Sequence, residues 1–104
     1  MNNEQSLNTP SGVRKTYRSE AQKTELINRL RRLEGQIRGL EKMVEADAYC
    51  NNIFQQSISV KSALDGFNKA LLGQHIKGCV WEGIKNDDEE VVDELLTTIR
   101  KLMK

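Results

Sequence analysis

Cys50, His75 and Cys79 are the residues of this 104-residue chain whose types and spacing carry chemistry, and the chain holds two cysteines and one histidine in all. Thiolates and imidazole are ligands for soft and borderline metal ions. His75 and Cys79 stand four residues apart, so on an α-helix both would project from one face and could grip one ion. Taken alone, such a pair is more often a surface histidine beside a small buried thiol. Cys50 changes that balance. If residues 50–75 form one helix, Cys50 lies roughly 37 Å along the axis from His75 at about 1.5 Å per residue. The three then cannot meet within one chain. They meet where two copies of the helix pack antiparallel about a two-fold axis, giving two equivalent sites per dimer. Two thiolates and one imidazole form a soft, low-coordinate set that suits Cu(I), and Zn(II) if a fourth ligand is added. A water or a residue of the N-terminus remains open as that fourth ligand.

Other chemistry is weakly represented. There is no phosphate-binding glycine loop, no paired histidines for a catalytic zinc and no nucleophile with a base and an orienting group. The chain reads as a non-enzyme with no small organic substrate. Two cysteines in a reducing compartment are core residues, ligands or redox groups sooner than a structural disulfide. No apolar run of about twenty residues is present to span a bilayer, and the N-terminus lacks the apolar centre of a secretory signal. The expected location is the cytoplasm.

Net charge is only +1, yet it is unevenly spread. Residues 1–42 hold nine Lys and Arg against five acids, whereas residues 86–94 hold six acids and no base. Arg29, Arg31, Arg32 and Arg38 lie on the expected exposed side of the first helix. They are either a solvated face pairing with Glu25, Glu34 and Glu41 or a surface for phosphate. No zinc finger or clear helix-turn-helix accompanies them.

The elements that position these residues are helical. Charged residues make up 30% of the chain, proline occurs once, and the apolar residues are mostly Leu, Ile and Val, a composition that favours helices. Residues 1–18 show no hydrophobic period and read as a flexible arm, leaving residues 19–104 as the helical domain. Ser19 and Gln22 have the capping-box form. Leu26, Leu30, Leu33, Ile37, Leu40 and Val44 then recur at helical, coiled-coil-like spacing. Gly35 and Gly39 inside this helix point to close helix–helix approach. Asp47 is placed to cap a second, longest helix carrying Ile53, Phe54, Ile58, Leu64, Phe67, Leu71, Leu72 and Ile76. Asn86 and Glu89 repeat the capping-box form before a third helix with Val91, Val92, Leu95, Leu96, Ile99 and Leu102 on its apolar face. Some ninety residues make a thin core, so such a chain completes its core by oligomerising.

The phrase Ile27-Asn28-Arg29-Leu30-Arg31-Arg32-Leu33-Glu34-Gly35-Gln36-Ile37-Arg38-Gly39, then Asp47-Ala48-Tyr49-Cys50, then His75 and Cys79, resembles the copper-sensitive operon repressor family. The resemblance runs from about residue 20 to the C-terminus. It implies an all-α three-helix protomer, an antiparallel dimer of long helices pairing into a flat homotetramer, and Cu(I) held between protomers by Cys50, His75 and Cys79. It further implies that the metal-free protein holds operator DNA and that Cu(I) releases it. Tyr49 and Glu94 match residues that support the ligands in that family. Arg29 and Lys69 match positions that serve DNA, and Lys61 adds a base on the same helix. Two departures stand out: Gln56-Ser57-Ile58-Ser59 replaces the usual Gln-Ile-Ser-Ala, and Gly66 stands where relatives are often basic. Two rival readings remain. One is a repressor of the same fold that senses persulfide through Cys50 and Cys79, and the other is a copper or zinc buffer with no DNA role.

Overall fold

The computed structural model describes residues 16–104. The chain runs through α1 (Glu20–Glu45), α2 (Cys50–His75), a π-helical turn (Ile76–Val80), α3 (Trp81–Lys85) and α4 (Glu89–Leu102), with no strand among the described residues. Most of the expected arm, residues 1–15, lies outside the described residues, and residues 16–18 precede the first helix without regular structure.

Helix α1 begins as its sequence predicts. The Ser19 hydroxyl accepts from the Gln22 amide at 3.1 Å, and the Gln22 side chain accepts from the Ser19 amide at 2.9 Å. Two donors that the first turn would leave free are thereby satisfied.

Both sharp connections use one device. At the end of α1, the Asp47 amide donates to the Val44 carbonyl and the Ala48 amide to Met43. At the end of α3, the Asp87 amide donates to Ile84 and the Asp88 amide to Gly83. Asp47 and Asp87 carry φ of 55° and 57°, so each is the left-handed residue of a Schellman ending, a conformation aspartate tolerates better than most. This corrects two expectations. Asp47 terminates α1 and does not cap α2, whose N-cap is Tyr49 with no side-chain hydrogen bond. Asn86 likewise closes α3, while α4 starts from Asp88, also without a side-chain cap.

Helices α1 and α2 form an antiparallel hairpin. Its rungs are the Gln74 amide donating to the Glu25 carboxylate at 3.5 Å and Arg29 lying over Gly66. The helical path then continues from α2 through the π turn into α3, so the expected second helix is one rod of residues 50–85 whose hydrogen bonding widens before its end. Helix α4 folds back on α3, with Val91 against Gly83.

The described residues extend 54 × 26 × 26 Å with a radius of gyration of 17.2 Å, well above the ~13 Å of a compact 100-residue domain. Their buried apolar side chains are Leu26, Leu33, Val80 and Val91. The α1 stripe divides: Leu26 and Leu33 pack inward, while Leu30, Ile37 and Val44 remain exposed. On the rod, Phe54 and Ile58 are 65% and 59% exposed, and Trp81 and Ile84 are exposed as well. Gly35 and Gly39 do not mark close approach within the chain. A Cβ on Gly35 would meet nothing within 4 Å, and one on Gly39 only the Gln56 side chain at 3.9 Å.

Candidate metal and nucleic-acid sites

Cys50 is the first residue of α2 and His75 the last. One uninterrupted α-helix therefore separates them by roughly 37 Å of axial rise. Cys50 is exposed and Cys79 half-buried, and neither is in a disulfide. Among the described residues no three His, Cys, Asp or Glu side chains gather in a way that could hold an ion within one chain.

His75 and Cys79 are not linked by plain α-helical spacing. The backbone between them is the π turn Ile76–Val80, in which hydrogen bonds skip one residue more than in an α-helix. Both side chains line one cavity of about 460 Å³. Thr16, Tyr17 and Arg18 close one side of it, and the Cys79 thiol donates to the Thr16 hydroxyl across 3.6 Å. Thr16 had no sequence signal: it lies before the first helix in a stretch without hydrophobic period.

His75 also borders a second hollow, of about 440 Å³, whose remaining wall is α4: Glu90, Asp93, Glu94, Thr97 and Thr98. Glu94 and His75 thus face a common space although they lie on different helices. Tyr49 is at the opposite end of the rod, next to Cys50 and largely exposed.

The basic residues occupy the α1–α2 hairpin. Arg31, Arg32 and Arg38 are exposed on α1, Lys61 and Lys69 are exposed on α2, and Arg29 is half-buried between the helices. Arg29 Nη2 lies 3.5 Å from Glu25 and Arg38 Nη1 lies 3.9 Å from Glu34. These are half-exposed pairs one helical turn apart, each worth at most about 0.5 kcal/mol and easily exchanged for another anion. Gly66 lies under a side chain of the facing helix. A Cβ there would stand 3.3 Å from Arg29 Nη1, so the glycine leaves room for a guanidinium reaching across from α1.

A family model described as metal-sensitive transcriptional repressor matches residues 22–101. The chain belongs to that family. Metal-sensitive transcriptional repressors are regulators and not enzymes. Among relatives, the copper-sensing transcriptional repressor CsoR of Bacillus subtilis is 39% identical over 89 residues, covering 85% of this chain and 88% of that protein. The Cu(I)-containing structure of the copper-sensing repressor CsoR from Geobacillus thermodenitrificans superposes with a TM-score of 0.81. It is 33% identical and covers 86% of this chain and 95% of that one. The nickel-responsive transcriptional regulator InrS superposes with a TM-score of 0.66 at 30% identity, over 76% of this chain and 90% of that one. Repressors of this fold therefore answer to different metals, and the fold alone does not select the ion. No helix among the described residues is long and apolar enough to cross a membrane.

Proposed function

We propose that the protein is a Cu(I)-responsive transcriptional repressor that holds operator DNA when metal-free and releases it when Cu(I) binds Cys50 of one protomer and His75 and Cys79 of another. The observation that carries this reading is the position of Cys50 and His75 at opposite ends of α2. Ligands so divided can serve one ion when two copies lie antiparallel. The exposed apolar residues of α1, α2 and α3 supply a surface for such packing, and a pair of dimers forming a flat tetramer would cover it on both faces. Relatives named as copper sensors support the choice of effector, as does the donor set, since two thiolates and an imidazole suit Cu(I) better than harder ions. The residues fit the ion: both thiols are free, and two of the three donors line one cavity.

In this reading Glu94 accepts from the free ring nitrogen of His75 and Tyr49 flanks the Cys50 thiolate. A carboxylate on the imidazole fixes its tautomer and ties the ligand to α4. Arg29, Arg31, Arg32, Arg38, Lys61 and Lys69 meet DNA phosphates, which dominate affinity and make it fall steeply with salt. Metal and DNA then bias one conformational equilibrium in opposite senses, so each weakens the other by the same factor. The protein acts where the DNA is, in the cytoplasm.

The test is fluorescence anisotropy of promoter DNA with the apo-protein, titrated anaerobically with Cu(I) and, separately, with a persulfide donor. Release by stoichiometric Cu(I) and not by the donor is expected. Release by persulfide alone would make the two cysteines a sulfur sensor. Failure of the apo-protein to bind the promoter at low salt would leave a metal buffer.

A further inference from the structure

A hollow of about 580 Å³ lies between the two long helices, and three cations border it: Arg29 from α1, Lys69 from α2 and Lys77 from the π turn. The one carboxylate on its wall is Glu25, already shared with Arg29 at 3.5 Å. Positive charge is therefore in excess. Gly66 and Gly73 form part of its wall. The first leaves room for the Arg29 guanidinium, and a Cβ on the second would meet nothing within 4 Å. The hollow is open and bordered by flexible cations, which is a phosphate-accepting arrangement.

Lys77 is not among the basic residues that the sequence singles out, and its position distinguishes it from them. It stands in the chain between His75 and Cys79, and it lines both the basic hollow and the cavity that those two residues share. His75 also borders the hollow walled by the acidic residues of α4, whereas Lys77 borders the hollow it shares with Arg29 and Lys69. Any rearrangement that brings His75 and Cys79 onto a common ion acts on the three residues between them, and Lys77 is the middle one.

We infer that Lys77 is a DNA-phosphate contact, completing a seat with Arg29 and Lys69, and that its place in the π turn makes it the charge that metal capture moves. The inference rests on the repressor reading and adds to it a residue and a route. The π turn carries ligand and DNA contact on one short stretch of backbone, so signal and output need no distant relay at this point.

The experiment measures promoter affinity of the apo-protein as a function of salt for the wild type, Lys77→Gln, Lys77→Arg and Lys85→Gln. Lys85 pairs with Glu82 at 3.5 Å and is absent from the hollow, so its variant controls for removal of a charge elsewhere. Lys77→Gln is expected to bind more weakly at low salt, with a log–log salt slope reduced by about 0.9 for each phosphate it no longer neutralises. Lys77→Arg should retain the wild-type slope, and Lys85→Gln should stay close to it. Cu(I) should then weaken the DNA binding of Lys77→Gln by a smaller factor than that of the wild type. A wild-type measurement avoids dependence on folding of the variants: promoter DNA should shield Lys77 from amine acetylation, read by mass spectrometry, and Cu(I) should restore its reactivity. Equal slopes for Lys77→Gln and Lys85→Gln, no shielding of Lys77 on bound DNA, or a Cu(I) factor in Lys77→Gln equal to that of the wild type overturns the inference while the repressor reading stands. A wild-type protein that never binds the promoter overturns both.

Discussion

Cys50 and His75 are the two end residues of a single 26-residue helix, and no bend within one chain can bring their side chains to one ion. The first prediction follows from that separation. A Cys50→Ala protomer keeps His75 and Cys79, and a Cys79→Ala protomer keeps Cys50. A mixed dimer of the two therefore has one complete ligand set and one doubly broken one. Each variant alone should fail to bind Cu(I) tightly, while the mixed dimer, purified through two different tags, should bind one ion per dimer. Chelator competition followed by metal analysis measures this, and a mixed dimer as empty as its parents would dispose of the shared site.

Glu94 and His75 border one hollow from different helices. Glu94→Gln keeps the size of the side chain and removes its charge. Loss of a carboxylate that orients a ligand histidine typically costs about 10- to 100-fold in metal affinity. A fall of that order is expected, together with weaker Cu(I)-driven release of DNA. Unchanged values in both measurements would reduce Glu94 to a bystander.

Phe54 is 65% exposed on the described chain. For a stand-alone monomer Phe54→Asp would be a nearly neutral surface change, within about 0.5 kcal/mol. For an assembly that buries Phe54 it places a charge in an apolar interface. Sedimentation should show a smaller species at micromolar concentration, with a lower melting temperature.

Gly83 lies under Val91. A Cβ added there would stand 2.5 Å from Val91 Cγ1, a distance at which something has to shift, and 3.1 Å from the Val91 Cβ. Both residues are buried. Gly83→Ala should destabilise the protein by about 1–3 kcal/mol, the usual range for overpacking, and urea unfolding monitored by circular dichroism would show it. Ser19→Ala, which removes half of the observed capping box, should cost about 1 kcal/mol in the same assay.

Much of the protomer is legible in its residues, and the exceptions have physical causes. Leucine and isoleucine spacing locates α1, and Ser19 with Gln22 marks its start, because capping and amphipathic burial are decided within a turn or two of the chain. Asp47 shows where such local reasoning divides. Aspartate favours both helix N-caps and left-handed helix endings, and with α1 ending so near the start of α2 one residue is a candidate for either. Only the backbone bonds from Asp47 and Ala48 decide between them. The π turn leaves no local mark, since widening a helix by one residue depends on what packs around it. Arg29 over Gly66 is equally hidden, because the empty position matters only once the facing helix is in place. Cys50, His75 and Cys79 are conspicuous by type and spacing, whereas Lys77 and Thr16 come to border the cavity of His75 and Cys79 only through the fold.

Four buried apolar side chains among the described residues are little with which to hold a molecule 54 Å long. A newly made chain with so small an interior has little to hold it closed, and open chains are what cellular proteases digest. Its lifetime is then governed by how soon it meets its own kind. Synthesis rate enters twice, once as the number of chains made and again as the fraction that escapes degradation, so the amount of protein should respond more than proportionally to changes in expression.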